Sequence, residues 1–303
     1  MRGPTVNCFS WVGARNAAVL QSSAMSPSAV TPRKPAPSGL GLLRVCVICL
    51  AVMLGWNFWL QRELRVVREQ AERERHFWVL GQRNSPVAER TEAFLALLRL
   101  GNREWRGAHL QGLPLPELAL TNAPLAEADL RGSDLRRADL RGASLTGALL
   151  GRADLTEAQL AGADCAGANL LQARLPDADL SRASFRSATL EQVAAARARF
   201  VTADLADAVL LMADLSGANL SGADLSGANL EAAILRGASL DLARLSEAHL
   251  KDTDFTNANW WRARGLNRAS LDYLVQRFAP TDEAPADLRA DFAKWRKDFA
   301  TQE

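Results

Sequence analysis

Leucine recurs at most fifth positions along about half of this chain, and this period constrains the fold more than any other feature. Of the 31 positions divisible by five from 110 to 260, 25 are leucine. Alanine stands two residues before 26 of these 31 positions. The spacing never slips, so the segment is an array of short repeats.

A period of five fits neither regular secondary structure. On an α-helix, leucines five residues apart would spiral around every face. On a flat strand, an odd period would send alternate leucines to opposite sides. All of the leucines can point inward only if the backbone turns after each quintet. A square coil meets this condition, with one quintet on each side and four in each turn.

The quintets closely resemble the pentapeptide-repeat family, whose pattern is Ala-(Asp/Asn)-Leu-x-x. The match is residue for residue in Ala128-Asp129-Leu130, Ala168-Asn169-Leu170, Ala218-Asn219-Leu220 and Ala223-Asp224-Leu225. The resemblance implies an all-β solenoid, a right-handed quadrilateral β-helix with the central leucine and the preceding alanine inward. It places these leucines in the repeat core: Leu130, Leu135, Leu140, Leu170, Leu215, Leu220, Leu225 and Leu230.

The pattern inverts at one place in the array. Val193 is large where alanine belongs, and Ala195 is small where leucine belongs. The exchange roughly conserves volume, so we expect a local irregularity without an interruption. The β-helix is predicted over residues 108–262. Nearly eight coils stacked about 4.8 Å apart would make a shaft about 37 Å long.

Helical caps are expected at both ends of the shaft, because open β edges invite aggregation and repeat arrays need capping. An N-terminal helical cap is predicted within 81–107, with Ser85 as N-cap and Pro86 in the first helical position. Two apolar helical faces predict C-terminal helices within 263–303. The first of these should close the shaft, while the second either caps or binds something else.

The N-terminal region predicts a membrane anchor. Residues 1–38 are rich in Ser, Pro, Ala and Arg and have no acid, which is typical of a disordered tail, and Met25 is an alternative start. Residues 39–60 form an apolar run of the length of a transmembrane helix, with Arg44 as its only charge. Trp56 and Trp59 stand at the end of this run, where interfacial tryptophans gather.

A charged juxtamembrane helix is predicted over residues 61–80. An apolar heptad spacing also runs through this segment and suggests self-association as a coiled coil, with Glu74 as its break; its positions are Leu60, Leu64, Val67, Ala71 and Trp78. Arginines are more numerous after the anchor than before it, so the positive-inside bias favours a single-pass protein of the bacterial inner membrane with a cytoplasmic shaft.

The sequence offers no catalytic, cofactor-binding or metal-binding constellation. Cys46 and Cys49 lie inside the apolar run, where they are expected to be buried apolar residues rather than a redox pair. His109 and His249 lie seven coils apart on the predicted shaft, too far to share a metal. We therefore expect no enzyme, no cofactor and no small-molecule substrate.

Three functions compete, and all of them are non-enzymatic. The first is a membrane-anchored scaffold that presents a rigid shaft to an unknown protein partner or to a second copy. The second is a structural spacer or targeting element without a binding face. The third follows from the resemblance, because some members of the family are acidic mimics of nucleic acid that bind topoisomerases.

Charge bears on the third function. Residues 108–260 contain 20 acids and 13 bases, a net charge of −7. However, Arg131, Arg136 and Arg141 interrupt the acidic track in the first coils. The whole chain, with 36 basic and 34 acidic residues, lacks the basic footprint of a nucleic-acid-binding protein.

One face of the predicted shaft is the candidate partner face. Residues 20 apart should stack in columns, and on the face with central residues 130, 150, 170, 190, 210 and 230 several outward positions are apolar. These are Leu149, Leu171, Val209, Leu211 and Met212. Elsewhere Ile234 and Val201 stand nearly alone. Columns also predict stacked ion pairs of Asp154 with Arg174, Asp179 with Arg199, and Asp224 with Arg244.

Overall fold

The computed structural model describes residues 39–82 and 84–300, which form α-helices at both ends of a long coil of quintets. Two compact units divide the chain after Gln61. Helix α1 spans Gly39–Gly81 and α2 spans Val87–Arg99. After the quintets come a short 3₁₀-helix at Trp260–Arg262, α3 at Arg268–Phe278 and α4 at Ala286–Ala300.

The quintets form a four-sided coil in which residues 20 apart pair in parallel. Bridges run from His109↔Asp129 through successive quintets to Arg244↔Arg264. Each quintet contributes one bridge residue, then the central residue, then a two-residue turn, so the sides are isolated bridges rather than long strands. The central N–H donates to the next coil, as in Leu130 N to Leu149 O at 2.7 Å. Four quintets per turn, as the period predicts, is confirmed.

The central residue and the alanine two positions before it fill the inside of the coil. All eight leucines named above as the repeat core are buried, with at most 1% of their surface exposed. Cys165, Phe185, Phe200 and Phe255 replace leucine at central positions and are equally buried. A shaft this narrow has room for one large and one small side chain per side, packed at the density of a crystal.

The coil with the inverted pattern is continuous. Val193 and Ala195 are both buried, and bridges join Ala194 to Arg174 and to Asp214. The same turn of the coil carries Phe185 and Phe200, whose rings meet edge to face at 6.1 Å. The large Val193 and the two phenylalanines of this turn offset the small side chain of Ala195.

The second residue of each turn adopts a left-handed backbone. Glycine supplies this conformation at Gly132 (φ 63°), but 20 described residues other than glycine adopt a positive φ, among them Arg152 at 58°. A side chain in this conformation costs roughly 1 kcal/mol relative to glycine. Burial of the inner side chains therefore offsets a backbone cost that recurs in most quintets of the coil.

Helix α1 joins two segments that the sequence separates. It runs without interruption through the expected anchor at 39–60 and the charged segment at 61–80. Among the residues that the structure describes, no helix has both the length and the apolarity needed to cross a bilayer, so the expected transmembrane helix finds no support there. The side chains of residues 39–46, 48 and 49 lie outside the described part, as does the whole tail 1–38.

Helix α2 covers the first coil. Its Phe94 and Leu97 are fully buried, and Phe94 packs against Trp105 with ring centroids 4.5 Å apart. Arg90 is 5% exposed and donates from its guanidinium to the His109 carbonyl at 3.0 Å, and burial lowers its pKa. The expected capping is wrong in detail, because Pro86 is itself the N-cap and no side chain caps the helix.

Two prolines mark the outer edge of the first coil. In the following coil, Asp134 N donates to Leu113 O and Ser144 N donates to Ala123 O, both at 3.0 Å. The equivalent positions of the first coil are Pro114 and Pro124, which have no N–H to donate. Proline is suited to a sheet edge for this reason.

An aromatic cluster closes the other end of the shaft. The ring of Trp260 lies 5.9 Å from Phe292 and 5.7 Å from Trp295, both on α4. Trp260 Nε1 donates to Phe278 O at 3.2 Å, and Trp261 Nε1 donates to an Asp291 carboxyl oxygen at 2.8 Å. The second C-terminal helix, whose role the sequence left open, therefore packs on the end of the shaft through its apolar side.

Candidate interaction face

One side of the shaft, named here the leucine face, contains the central residues 130, 150, 170, 190, 210 and 230. Its bridge column runs Leu149↔Asn169, Asn169↔Thr189 and Thr189↔Val209 in register. Because each quintet projects its bridge residue and its two turn residues outward, the surface is a grid of columns with coils about 4.8 Å apart.

The outward apolar side chains expected on this face are at the surface. Leu149 and Leu171 are each 36% exposed and Met212 is 55% exposed, while Val209 and Leu211 are half-buried. They span three coil steps from Leu149 to Leu211, about 14 Å along the shaft. The patch is therefore small. Single exposed apolar side chains are common on protein surfaces, so the patch is informative only because its members lie on one side of the shaft.

Polar side chains border the patch and hold one another in place. At the corner of the leucine face, Arg152 Nε donates to Gln172 Oε1 and Gln172 Nε2 donates to Gln192 Oε1, both at 2.9 Å. Nearer the C-terminal end, Lys251 Nζ pairs with Glu231 at 2.6 Å. An apolar centre inside a polar rim is the usual layout of a protein interface.

Asp129 closes the patch at its N-terminal end. Its side chain is 7% exposed and accepts two hydrogen bonds from the Arg131 guanidinium, at 2.8 and 2.6 Å. These hydrogen bonds lower the pKa of Asp129. The same local pair recurs on the next two sides, where the Arg141 hydrogen bond lowers the pKa of Asp139 to about 2. These arginines are thus engaged by their own quintets.

Stacked ion pairs join neighbouring coils at two kinds of position. The pairs expected in the bridge columns are present, Asp154 with Arg174 at 3.6 Å, Asp179 with Arg199 at 4.0 Å, and Asp224 with Arg244 at 3.2 Å. Closer contacts lie in a corner column that sequence reasoning missed, where Arg197 pairs with Asp177 at 2.6 Å and Arg137 with Glu157 at 2.9 Å. A search of the turn columns at the same 20-residue spacing would have found them.

The other sides of the shaft carry fewer large apolar side chains, with one exception that the sequence reasoning overlooked. Ile234 is 37% exposed and Val201 is half-buried. Leu242, at the second turn position of its quintet, is 58% exposed and lies off the leucine face. The concentration of apolar residues on the leucine face is therefore real but not exclusive.

A cleft opens where the leucine face meets the C-terminal cap. Its volume is about 470 Å³, and its lining includes Ala248 and Leu250 from the last coil with Tyr273 and Leu274 from α3. Leu250 is a central leucine that the next coil no longer covers, so it is half-buried. The cleft is therefore a partly apolar opening at the end of the shaft, and the Glu231–Lys251 pair separates it from the apolar centre of the leucine face.

The described residues offer no grouping for metal chemistry. Within them no three His, Cys, Asp or Glu side chains lie close enough to hold an ion. Cys165 is fully buried in the core, which raises the pKa of its thiol far above its ordinary value. His109 and His249 occupy opposite ends of one bridge column. The raised pKa of the buried Cys165 thiol disfavours thiolate chemistry in the core.

Comparisons with known proteins agree with the coil. The sequence model of the Pentapeptide repeats family matches residues 119–152, 153–192, 183–222 and 223–259, with eight copies. A comparison with curated proteins found no match.

Similar solved structures include HetL, a pentapeptide repeat protein involved in heterocyst differentiation regulation from the cyanobacterium Nostoc sp. strain PCC 7120. It is 31% identical over 57% of this chain and 95% of HetL, with a TM-score of 0.27. A pentapeptide repeat protein from the Arabidopsis thaliana thylakoid lumen is 26% identical over 44% of this chain and 86% of that one, with a TM-score of 0.26. QnrB1, a plasmid-mediated fluoroquinolone resistance protein, is 19% identical over 56% of this chain and 83% of QnrB1, with a TM-score of 0.24.

The family match and the observed four-sided coil lead to one assignment. Bridges every 20 residues, buried central leucines and the matched repeats together make the shaft a right-handed β-helix solenoid. The chain belongs to the pentapeptide-repeat family.

Proposed function

We propose that this protein is a non-enzymatic scaffold whose leucine face binds a partner protein. The observation that carries the proposal is the grouping of Leu149, Leu171 and Met212, exposed by 36%, 36% and 55%, on one side of the shaft. An outward position does not require an apolar side chain, since polar residues occupy most equivalent positions of the other sides. Exposed apolar groups inside a polar rim favour a contact with another protein.

Rigidity supports the same role. Neighbouring coils inside the shaft are hydrogen-bonded to one another along all four sides, and both ends of the shaft are covered by helices. The face is therefore fixed before any partner arrives, so binding would cost little conformational entropy.

The test is the double change Leu171→Glu with Leu211→Glu. Neither side chain lies in the core, so the melting temperature should stay close to that of the parent. Two carboxylates in the apolar centre should weaken partner capture more than about tenfold, which is the scale of a lost hot spot. Quantitative pull-down from cells that make the protein measures this loss.

A matched control exists on the opposite side of the shaft. Ala161→Glu with Val201→Glu changes the same turn position of two quintets that are also 40 residues apart. This control should capture partners as the parent does. Equal capture by all three proteins would remove the binding role of the leucine face and leave the shaft as a structural spacer or targeting element.

The acidic mimic is the remaining alternative. It draws on the stretch between Arg199 and Arg236, which contains acids but no base. A topoisomerase partner would be captured through charge, so its capture would fall steeply with salt, and the two added glutamates would not weaken it. The Asp–Arg pairs of the first coils work against a phosphate-like track, because each carboxylate there already has its own guanidinium.

Membrane attachment through residues 39–60 is part of the proposed scaffold role, with the shaft on the cytoplasmic side of a bacterial inner membrane. Its support is the row of exposed apolar side chains on α1, including Met53 at 70% and Phe58 at 76%. The full chain should then stay with membranes after alkaline carbonate extraction. Release into the supernatant would contradict the anchor and leave the proposed binding face untouched.

A further inference from the structure

The charged half of α1 carries an exposed apolar stripe, defined here as Leu64, Val67, Ala71 and Trp78. Their spacings of three, four and seven residues place them on the a and d positions of a heptad, with Glu74 at the remaining d position. Leu64 is 41% exposed, Val67 is 61% exposed and Trp78 is 66% exposed. An ordinary surface helix does not need this arrangement on its solvent side.

The opposite side of the same helix segment is already engaged. Leu80 is 4% exposed and packs with Val79 against the core, and the Arg73 guanidinium donates to Leu100 O at 2.8 Å. Arg73 and Leu80 both occupy the c position, which lies across the helix from the a/d seam. The cap therefore fixes the helix with its stripe turned away from the shaft.

We propose that the stripe binds the stripe of a second copy of this chain, as a parallel two-stranded coiled coil. Charge complementarity favours a second copy as the partner of the stripe and a parallel arrangement of the two helices. In a parallel pair, Glu63 at g faces Arg68 at e of the other copy, and the symmetry of the dimer forms this pair twice. An antiparallel pair would instead bring e positions together, and these carry Arg68 and Arg75.

We expect the affinity of this dimer to be modest. The seam is short, and Glu74 would face its own copy across the dimer, which destabilises the contact. In compensation, the helix is folded and oriented on the cap before it pairs, so the cost of ordering it is already met. This dimer goes beyond the proposed partner binding and doubles the leucine faces presented at one place.

The experiment uses the full chain in a non-ionic detergent, with the dimer dissociation constant measured by sedimentation equilibrium. Leu64→Lys with Val67→Lys should weaken the dimer more than about tenfold by placing charge in the seam. Glu74→Leu should tighten it at least about tenfold, because it restores the missing apolar position. Glu72→Leu, the same change off the seam, is the matched control and should leave the constant unchanged.

A charge exchange tests the direction. Glu63→Arg alone and Arg68→Glu alone should each weaken the dimer about two- to fourfold, and the combined variant should restore it. A chain that stays monomeric even with Glu74→Leu overturns the proposal. A dimer whose dissociation constant is the same in every seam variant also overturns the proposal, because such a dimer must form elsewhere. If the combined variant does not restore the affinity, the parallel arrangement is wrong.

Discussion

Leu215→Lys is expected to abolish the cooperative thermal unfolding of the shaft. Leu215 is 1% exposed and lies at the centre of a quintet in the middle of the most regular coils. A lysine kept neutral in such a site has its pKa lowered by 3 to 5 units, at a cost on the order of 5 kcal/mol. That cost is comparable to the whole stability of many domains.

Circular dichroism during heating measures the effect, with Leu171→Lys as the control. Leu171 is a leucine of the same array but points outward and is 36% exposed. The control should melt within a few degrees of the parent, whereas the core variant should lose its transition. A core variant that melts like the control would show that the central leucines are not the inner residues of the coil.

Trp260→Ala is expected to produce the second large effect, at the C-terminal end. The indole is fully buried, packs on Phe292 and Trp295, and holds the Phe278 carbonyl by its N–H. Truncation of a buried tryptophan costs about 3–5 kcal/mol. Loosening of α3 and α4 would also expose the last coil, so aggregation should accompany the lower melting temperature.

Tyr273→Ala on α3 is the aromatic control for this cap. Tyr273 is 41% exposed, and its ring approaches Phe278 edge to face at 6.3 Å. We expect little change in melting and no turbidity. Light scattering during the melt separates the two effects, and a Trp260 variant that melts lower but stays clear would show that α3 and α4 do not protect the edge.

The inside of the shaft was predictable because its chemistry repeats in one dimension. A leucine every five residues requires a turn after every quintet. The position of Leu130 or Leu220 in this period was enough to predict that its side chain is buried. The same arithmetic gave the bridge columns and the pairs within them, such as Asp224 with Arg244. Local sequence was sufficient there because neighbouring coils are identical in register.

The outside was less predictable because it depends on side-chain reach and on packing at the ends. The corner pair Arg197–Asp177 and the local pair Asp129–Arg131 arise from how far each guanidinium extends, which the period does not encode. The edge-to-face contact of Phe185 with Phe200 depends on how side chains from different sides of the coil meet in the core. Which side of α1 turns toward the cap also required the contacts of Arg73 and Leu80.

The prolines of the first coil have a consequence for growth. In a stack of parallel coils the two ends are complementary. If both ends were uncovered, the end of one molecule could pair with the opposite end of the next and form an open filament. Pro114 and Pro124 withdraw two donors from one end, and the aromatic cap blocks the other. Both ends therefore oppose end-to-end growth, and we expect the number of encoded quintets, rather than the concentration, to set the length of the rod.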